Sequence, residues 1–320
     1  MKNTEVNQAQ KKKSYRAILI LLVGLAAFSS TVKELHQLRA LVTDVTEFIS
    51  EWGGAVVPTA NARTETKVEN CVADRMSRSA RSDEFRWSGH IAPGAAVEIK
   101  GINGDIKAEP ATGDEVQVVA VKSSRRGNLN SVELKVVEHA GGVTICAIYP
   151  SDDLTNPNAC EPRGSDAHRN VSNNDVRVDF RVRVPQRVGF IAHTINGEIG
   201  ATSLASNVVS KTVNGSIRIS TSGYAEATTM NGEIAAKLGD ANWPGALTFK
   251  TLNGEITLDL PADTSTDVKA ETFNGTINSD FPMSLTSLTT RRLVSGRIGV
   301  GGRALFLKTL NGSINLRRAS

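Results

Sequence analysis

A chain of 320 residues, 40% apolar and 22% charged, is long enough for one large or two ordinary domains and too apolar for a disordered polymer. Its 37 basic and 33 acidic residues are interspersed, giving a net charge of +4, and only 5% of residues are aromatic. Nucleic-acid binding needs a basic stripe with stacking platforms, so that function class is set aside.

Residues 1–32 read as an export element. Lys11, Lys12, Lys13 and Arg16 precede an apolar run from Ala17 to Phe28. That is the layout of a secretion signal, with Ala27 and Ser29 small enough for cleavage after Ser29. Counted on to Val32 the segment has 16 residues, so an uncleaved transmembrane anchor is the other reading. Either way the rest of the chain is exported to the cell envelope.

Residues 33–54 read as an amphipathic helix. Leu35, Leu38, Val42, Val45, Ile49 and Trp52 share one seam. The seam either packs on the chain's own domain or, over residues 35–52, pairs two chains as a weak homo-oligomer. Gly53 and Gly54 end the helix. Residues 55–84 have no clear period and read as a linker.

From Phe85 onward the pattern is β. Alternation is plain in Val116, Val118 and Ala120, and in Val176, Val178, Phe180, Val182 and Val184, where Pro185 stops the strand. Cys146 and Cys160 flank a polar loop. A disulfide between them is permitted by export and would stabilise by about 3 kcal/mol in the chain-entropy model. The alternative is that both are reduced; Cys71 is left over in either case.

A tetrapeptide, Asn-Gly-x-Ile, recurs through this region. Its Asn-Gly pairs are Asn103-Gly104, Asn196-Gly197, Asn214-Gly215, Asn231-Gly232, Asn253-Gly254, Asn274-Gly275 and Asn311-Gly312. Ser295-Gly296-Arg297-Ile298 reads as a degenerate eighth copy. Thr stands two residues before the Asn in all copies except the first, and the residue between is always apolar. Such repetition marks one structural unit stacked many times.

Side-chain parity says what the unit does. Apolar residues fall at even distances before the Asn, as in Leu247 and Phe249, and at odd distances after it, as in Ile256 and Leu258. An unbroken strand keeps one parity, so the chain turns or bulges at the motif. Asn and Gly both tolerate positive φ, which such a corner is expected to need. The motif is then either a hairpin turn or the corner of a β-solenoid, with three short strands per coil. The recurrent Ile favours the solenoid, since a hairpin constrains its turn but not a residue three positions on. Stacked corners would align the Asn amides as a ladder and the Ile residues as a column.

The repeats resemble the DUF4097 family, bacterial adhesin-like domains related to auto-transporter-adhesin-like head domains. The resemblance rests on Thr-Φ-Asn-Gly-x-Ile, on the segment Val97 to Ile106, and on Phe85–Gly89 and Gly142–Cys146. It implies an all-β chain folded as a right-handed, single-stranded β-helix over residues 85–320, behind the α-helical leader or anchor. It supplies no catalytic residues.

Little in the chain points to chemistry. His36, His90, His139, His168 and His193 are scattered and form no metal-ligand pair. No nucleophile elbow or phosphate loop is present, so no catalytic, cofactor or metal residues are assigned. Two residues after the Asn stand Asp105, Glu198, Glu233 and Glu255, interspersed with Ser216, Thr276, Arg297 and Ser313. Stacked coils would put these in one outward column. Glu233 and Glu255 are the pair to weigh for glycoside hydrolysis, with Tyr224 and Trp243 as the nearest aromatics. A mixed polar edge explains the same residues. The loop from Ser151 to Asn158 offers oxygens for calcium without EF-hand spacing.

The expected function is that of a non-enzymatic envelope protein, an adhesin or interaction scaffold presenting a β-helix surface to an envelope protein or glycan. A polysaccharide-active β-helix enzyme and a membrane-tethered envelope sensor are the alternatives.

Overall fold

In a computed structural model of the protein, the described residues are 81–151, 157–162, 171, 174–240, 243–290 and 292–319. All belong to the compact unit Pro58–Ser320. The expected leader, the helix with its 35–52 seam, the linker up to residue 80, Cys71, His36, His168 and residues 152–156 of the polar loop lie outside them. Among the described residues no helix is long and apolar enough to cross a membrane. The first strand starts at Arg81 rather than at Phe85.

The described chain is all β apart from one 3-10 turn, Leu129–Ser131. It forms two large sheets. Sheet A runs, in spatial order, β1 (Arg81–His90), β4 (Glu115–Ser124), β7 (Arg177–Val184), β3 (Ile106–Pro110), β9 (Ile199–Leu204), β11 (Ile217–Thr221), β13 (Ile234–Leu238), β15 (Ile256–Leu260), β21 (Ile314–Arg318) and β17 (Ile277–Ser279). Sheet B runs β18 (Met283–Thr290), β19 (Leu293–Ile298), β16 (Thr266–Asn274), β20 (Ala304–Asn311), β14 (Leu247–Lys250), β12 (Ala225–Asn231), β10 (Val208–Asn214), β8 (Gly189–Asn196), β2 (Ala96–Lys100), β6 (Gly142–Ile148) and β5 (Glu133–His139).

Each Asn-Gly pair carries the chain from a strand of sheet B to a strand of sheet A, as from β10 to β11 and from β12 to β13. The hairpin reading is therefore overturned, because the flanking strands pair with other coils and not with each other. A coil holds two strands rather than the three expected. Neighbouring coils pair in parallel, and antiparallel strands close both ends: β1 and β4 beside β7, β5 beside β6, and β19 with β18 beside β16.

The core lies between the sheets. On the sheet A side Phe180, Ile106, Ile199, Ile217, Ile234, Ile256, Ile314 and Ile277 occupy paired positions and make the expected column. All but Ile277 are buried. A parallel stack without register shift repeats one inward position in every coil, so one β-branched residue fills the same space each time.

The coils do not stack in chain order. The last coil, β20–β21, lies between β14–β15 and β16–β17. At the other end β2–β3 lies between β6–β7 and β8–β9. Every motif coil offers the same hydrogen-bond pattern, so the pattern does not dictate which coil lies next to which.

Two smaller expectations also change. Ser295-Gly296 is not a corner: it lies inside β19, antiparallel to β16, and Val300 after it is 88% exposed. Ser295 has no side-chain amide with which to extend a ladder. Nor do the corners require positive φ. No corner Asn has it, and among the corner glycines Gly104 alone sits well within that region, at φ 140°.

Candidate binding surface

The corner is built from three side-chain positions. The Asn amides form a continuous chain of hydrogen bonds. Asn274 donates to Asn311 (2.7 Å), Asn311 to Asn253 (2.7 Å), Asn253 to Asn231 (2.8 Å), Asn231 to Asn214 (2.9 Å), Asn214 to Asn196 (2.8 Å) and Asn196 to Asn103 (2.8 Å). The glycines are needed for contact rather than for φ. At Gly197, Gly215, Gly232, Gly254, Gly275 and Gly312 a β-carbon would fall well under 3.0 Å from the carbonyl oxygen of the corner Gly in the adjoining coil. At Gly104 it would meet the Val178 carbonyl instead.

Thr is the third. Its hydroxyl donates to the Gly carbonyl of the adjoining coil: Thr212 to Gly197 (3.0 Å), Thr229 to Gly215, Thr251 to Gly232 and Thr309 to Gly254 (each 2.9 Å), and Thr272 to Gly312 (2.7 Å). Thr194 reaches Gly104 at 3.2 Å. All six threonines are buried. Their recurrence was visible in the sequence, but their partner was not. The row ends at Asn103, where Tyr149 takes over. Its buried hydroxyl donates to the Val176 carbonyl (2.9 Å) and the Asn103 carbonyl (3.2 Å), and burial pushes its pKa far above the usual phenol range.

The outward column beside this corner is mostly occupied by the fold itself. Asp105 accepts the Glu198 amide (2.9 Å) and pairs with Arg177 (2.7 Å). Glu198 pairs with Arg218 at 3.2 Å. Glu255 accepts from Asn315 (2.6 Å) and Thr257 (3.0 Å). Ser216 accepts the Glu233 amide at 3.3 Å. Glu233 and Glu255 do lie in adjacent coils, since Ile234 pairs with Ile256. Trp243 is no sugar platform, being 1% exposed in the core, and Tyr224 packs against that core. Among the described residues no group of three or more His, Cys, Asp or Glu is arranged to hold a metal.

Cys146 and Cys160 are joined as a disulfide, with Cα atoms 5.7 Å apart. Cys146 lies on β6 opposite Lys100 of β2. Beside the disulfide is a polar cluster that the sequence reading missed. Lys100 and Glu98 are 3% and 4% exposed and form an ion pair at 3.4 Å. Lys100 also donates to the Glu161 carbonyl (3.0 Å), and Glu98 accepts from Thr144 (2.7 Å). His139 meets the Thr144 hydroxyl at 3.0 Å, and His193 lies 3.9 Å from Glu98. Two charges buried together are tolerable because each finds its partner and a further hydrogen bond. His90 sits elsewhere, beside Asp114 and Glu115.

The outer face of sheet B extends from this cluster along the molecule. In most motif coils the residues one, three and five before the Asn lie on the side away from the core, although Ile102, Val213, Lys100 and Glu98 are covered there. The first of these is the apolar residue preceding every Asn; Ile195, Met230, Leu252 and Leu310 are half-buried. The second is basic in most coils: Lys100, His193, Lys211, Lys250 and Lys308. What the geometry offers is thus a ruled surface, with side chains repeated at the strand spacing, rather than a cleft with converging reactive groups.

A family model described as Toastrack DUF4097 matches residues 64–317. No curated protein matches the chain. Among solved structures the fold is similar to a candidate cell adhesion protein from Clostridium sporogenes ATCC 15579, at 13% identity and TM-score 0.40 over 74% of this chain and 100% of that one. It is also similar to a candidate adhesin from Bacteroides fragilis NCTC 9343, at 9% identity and TM-score 0.34 over 74% and 97%.

Proposed function

The chain belongs to the Toastrack DUF4097 family, and from that premise we propose that it is a non-enzymatic cell-envelope protein, an adhesin or interaction scaffold whose solenoid presents a rigid surface outside the cytoplasm. One observation carries this reading. The repeated Thr, Asn and Gly groups are consumed in bonds between coils, so what the sequence repeats is construction, and the product is a long ruled face. Function then resides in surface pattern.

The Cys146–Cys160 bond supports an oxidising compartment. Residues 1–32 deliver the chain there as a signal or hold it as an anchor, residues 33–54 and the linker space it from the membrane, and the solenoid winds right-handed. An envelope protein or glycan is the partner, with weak pairing of chains through residues 35–52.

The test uses full-length protein produced in its own type of cell. Fractionation is expected to place it in the envelope, with the disulfide seen by non-reducing mass spectrometry. Incubation with a panel of envelope and plant glycans is expected to release no product. Turnover that disappears in Glu233→Ala or Glu255→Ala, with the fold retained, would overturn the non-enzymatic reading; recovery in the cytoplasm with reduced cysteines would overturn the location.

A further inference from the structure

The outer side of sheet B carries a row of side chains in strict register, basic at every position except Thr228. Lys100, His193, Lys211, Thr228, Lys250 and Lys308 occupy directly paired positions on β2, β8, β10, β12, β14 and β20. At about 4.8 Å per strand the row runs about 24 Å, parallel to the stacking direction. Like charges placed opposite each other across strands are destabilising, as Lys250 and Lys308 are here. Lys100 is buried in its ion pair with Glu98 and serves the fold, whereas Lys211, Lys250 and Lys308 are half-buried on the outer side.

The two rows beside the bases differ in character. Ile191, Val209 and Phe306 share theirs with Glu98, Glu226 and Thr248, and Met230, Leu252 and Leu310 lie on the other side. Phe306 is 39% exposed. The apolar flank strengthens the field of the charges beside it. Acids accompany the row at both ends and at its centre, where Glu226 lies on β12. Glu98 is tied to Lys100 and Thr144, Glu271 sits 3.9 Å from Lys308 at the far end, and Glu226 lies beside Lys211.

We propose that this face binds an acidic polysaccharide, an extended chain of uronate carboxylates laid along the lysine row. The inference rests on the surface-presenting function above and gives it a partner. A charge repeated along a straight line is complementary to a ligand whose own charge repeats, as a polyuronate's does. Nucleic acid repeats its charge too, but single strands are held by successive aromatic platforms, and Phe306 and Phe273, the latter covered by Arg292, do not make such a series.

The probe is polygalacturonate, with neutral dextran of similar length as control and the purified full chain as receptor. Binding is expected for polygalacturonate alone, weakening as salt is added. Lys211→Gln, Lys250→Gln and Lys308→Gln combined are expected to weaken it about tenfold or more and to flatten the salt dependence. Lys107→Gln with Lys237→Gln, on the outer side of sheet A, is expected to leave it unchanged, and thermal midpoints verify that both variants fold. Equal loss from the sheet A pair, equal binding of dextran, or no binding of polygalacturonate overturns the proposal. So does tighter binding of phosphatidylglycerol vesicles or polyphosphate with the same lysine dependence. If the chain still captures an envelope component through sheet B while ignoring polygalacturonate, only the polysaccharide assignment falls; if it captures nothing, the wider reading falls with it.

Discussion

Asn311 donates its side-chain amide to Asn253 at 2.7 Å, although Asn274 lies between them in the sequence. Asn274 instead donates to Asn311 from the far side. The last coil of the chain is thus an inner coil of the stack, clasped between two coils made earlier. In an ordered solenoid the terminal repeat touches one neighbour, and its loss frays one end. Here removal of residues 303–320 is expected to unseat β16–β17 as well. Hydrogen exchange should show protection lost across Thr266–Ser279, while Val208–Leu238 stays protected; retained protection in β16 would argue against this stacking order.

The ladder amides bond to one another at the surface, so each is worth little alone. Asn231 donates to Asn214 and accepts from Asn253. Asn231→Ala is expected to cost about 1–2 kcal/mol, from two hydrogen bonds of modest net worth. Asn231→Asp should cost more, since a carboxylate cannot donate to the Asn214 oxygen. Denaturant midpoints with unchanged slopes would measure both.

Gly232 is held to a stricter limit than Asn231, because a β-carbon there would press on the Gly215 carbonyl. Its backbone is of ordinary φ, so the strain is steric alone. Gly232→Ala is expected to cost about 3 kcal/mol or to prevent folding, at the upper end of overpacking effects. Gly200→Ala is the control, having nothing within 4 Å of the added atom. A pair of equal melting temperatures would show that the coils can spread.

Thr229 is completely buried and donates to the Gly215 carbonyl at 2.9 Å. Thr229→Val keeps the shape and removes the donor, leaving the carbonyl without that partner. The expected loss is about 1–2 kcal/mol, with Thr229→Ser retaining most of the bond. Chemical denaturation of the three proteins separates hydrogen bonding from packing.

Glu226 gives a pH dependence with a definite sign. Burial raises its pKa above the usual carboxylate range, opposed by the charge of Lys211. The folded state then holds its proton more tightly than the unfolded state, so the contribution of this group is full below about pH 4.3. It is lost as pH rises through the raised value. Glu226→Gln is expected to be more stable than the parent at pH 7 and equal to it below about pH 4, in thermal unfolding across that range. A stability difference of opposite sign at neutral pH would mean that the Lys211 attraction outweighs the desolvation.

Much of the architecture was legible in the chain alone. The parity change around each Asn required a corner, and the recurrent Ile selected stacked coils over hairpins, because only stacking repeats one inward position. The amide ladder followed from the same residues, whereas the Cys146–Cys160 pair was one of two readings left open until the structure joined them. The sequence could not reveal what each corner residue touches, since Thr229 and Gly215 meet only once two coils are stacked. Nor could it place the coils: identical hydrogen-bonding edges make Asn253 as good a neighbour for Asn311 as for Asn274, and local propensity is blind to that choice. The same limit hid the lysine row. Lys211, Lys250 and Lys308 are scattered basic residues in a chain of nearly balanced charge until parallel pairing puts them on one line. Sequence determined the unit and its repetition; tertiary structure decided the order of stacking, and with it which surface charges stand together.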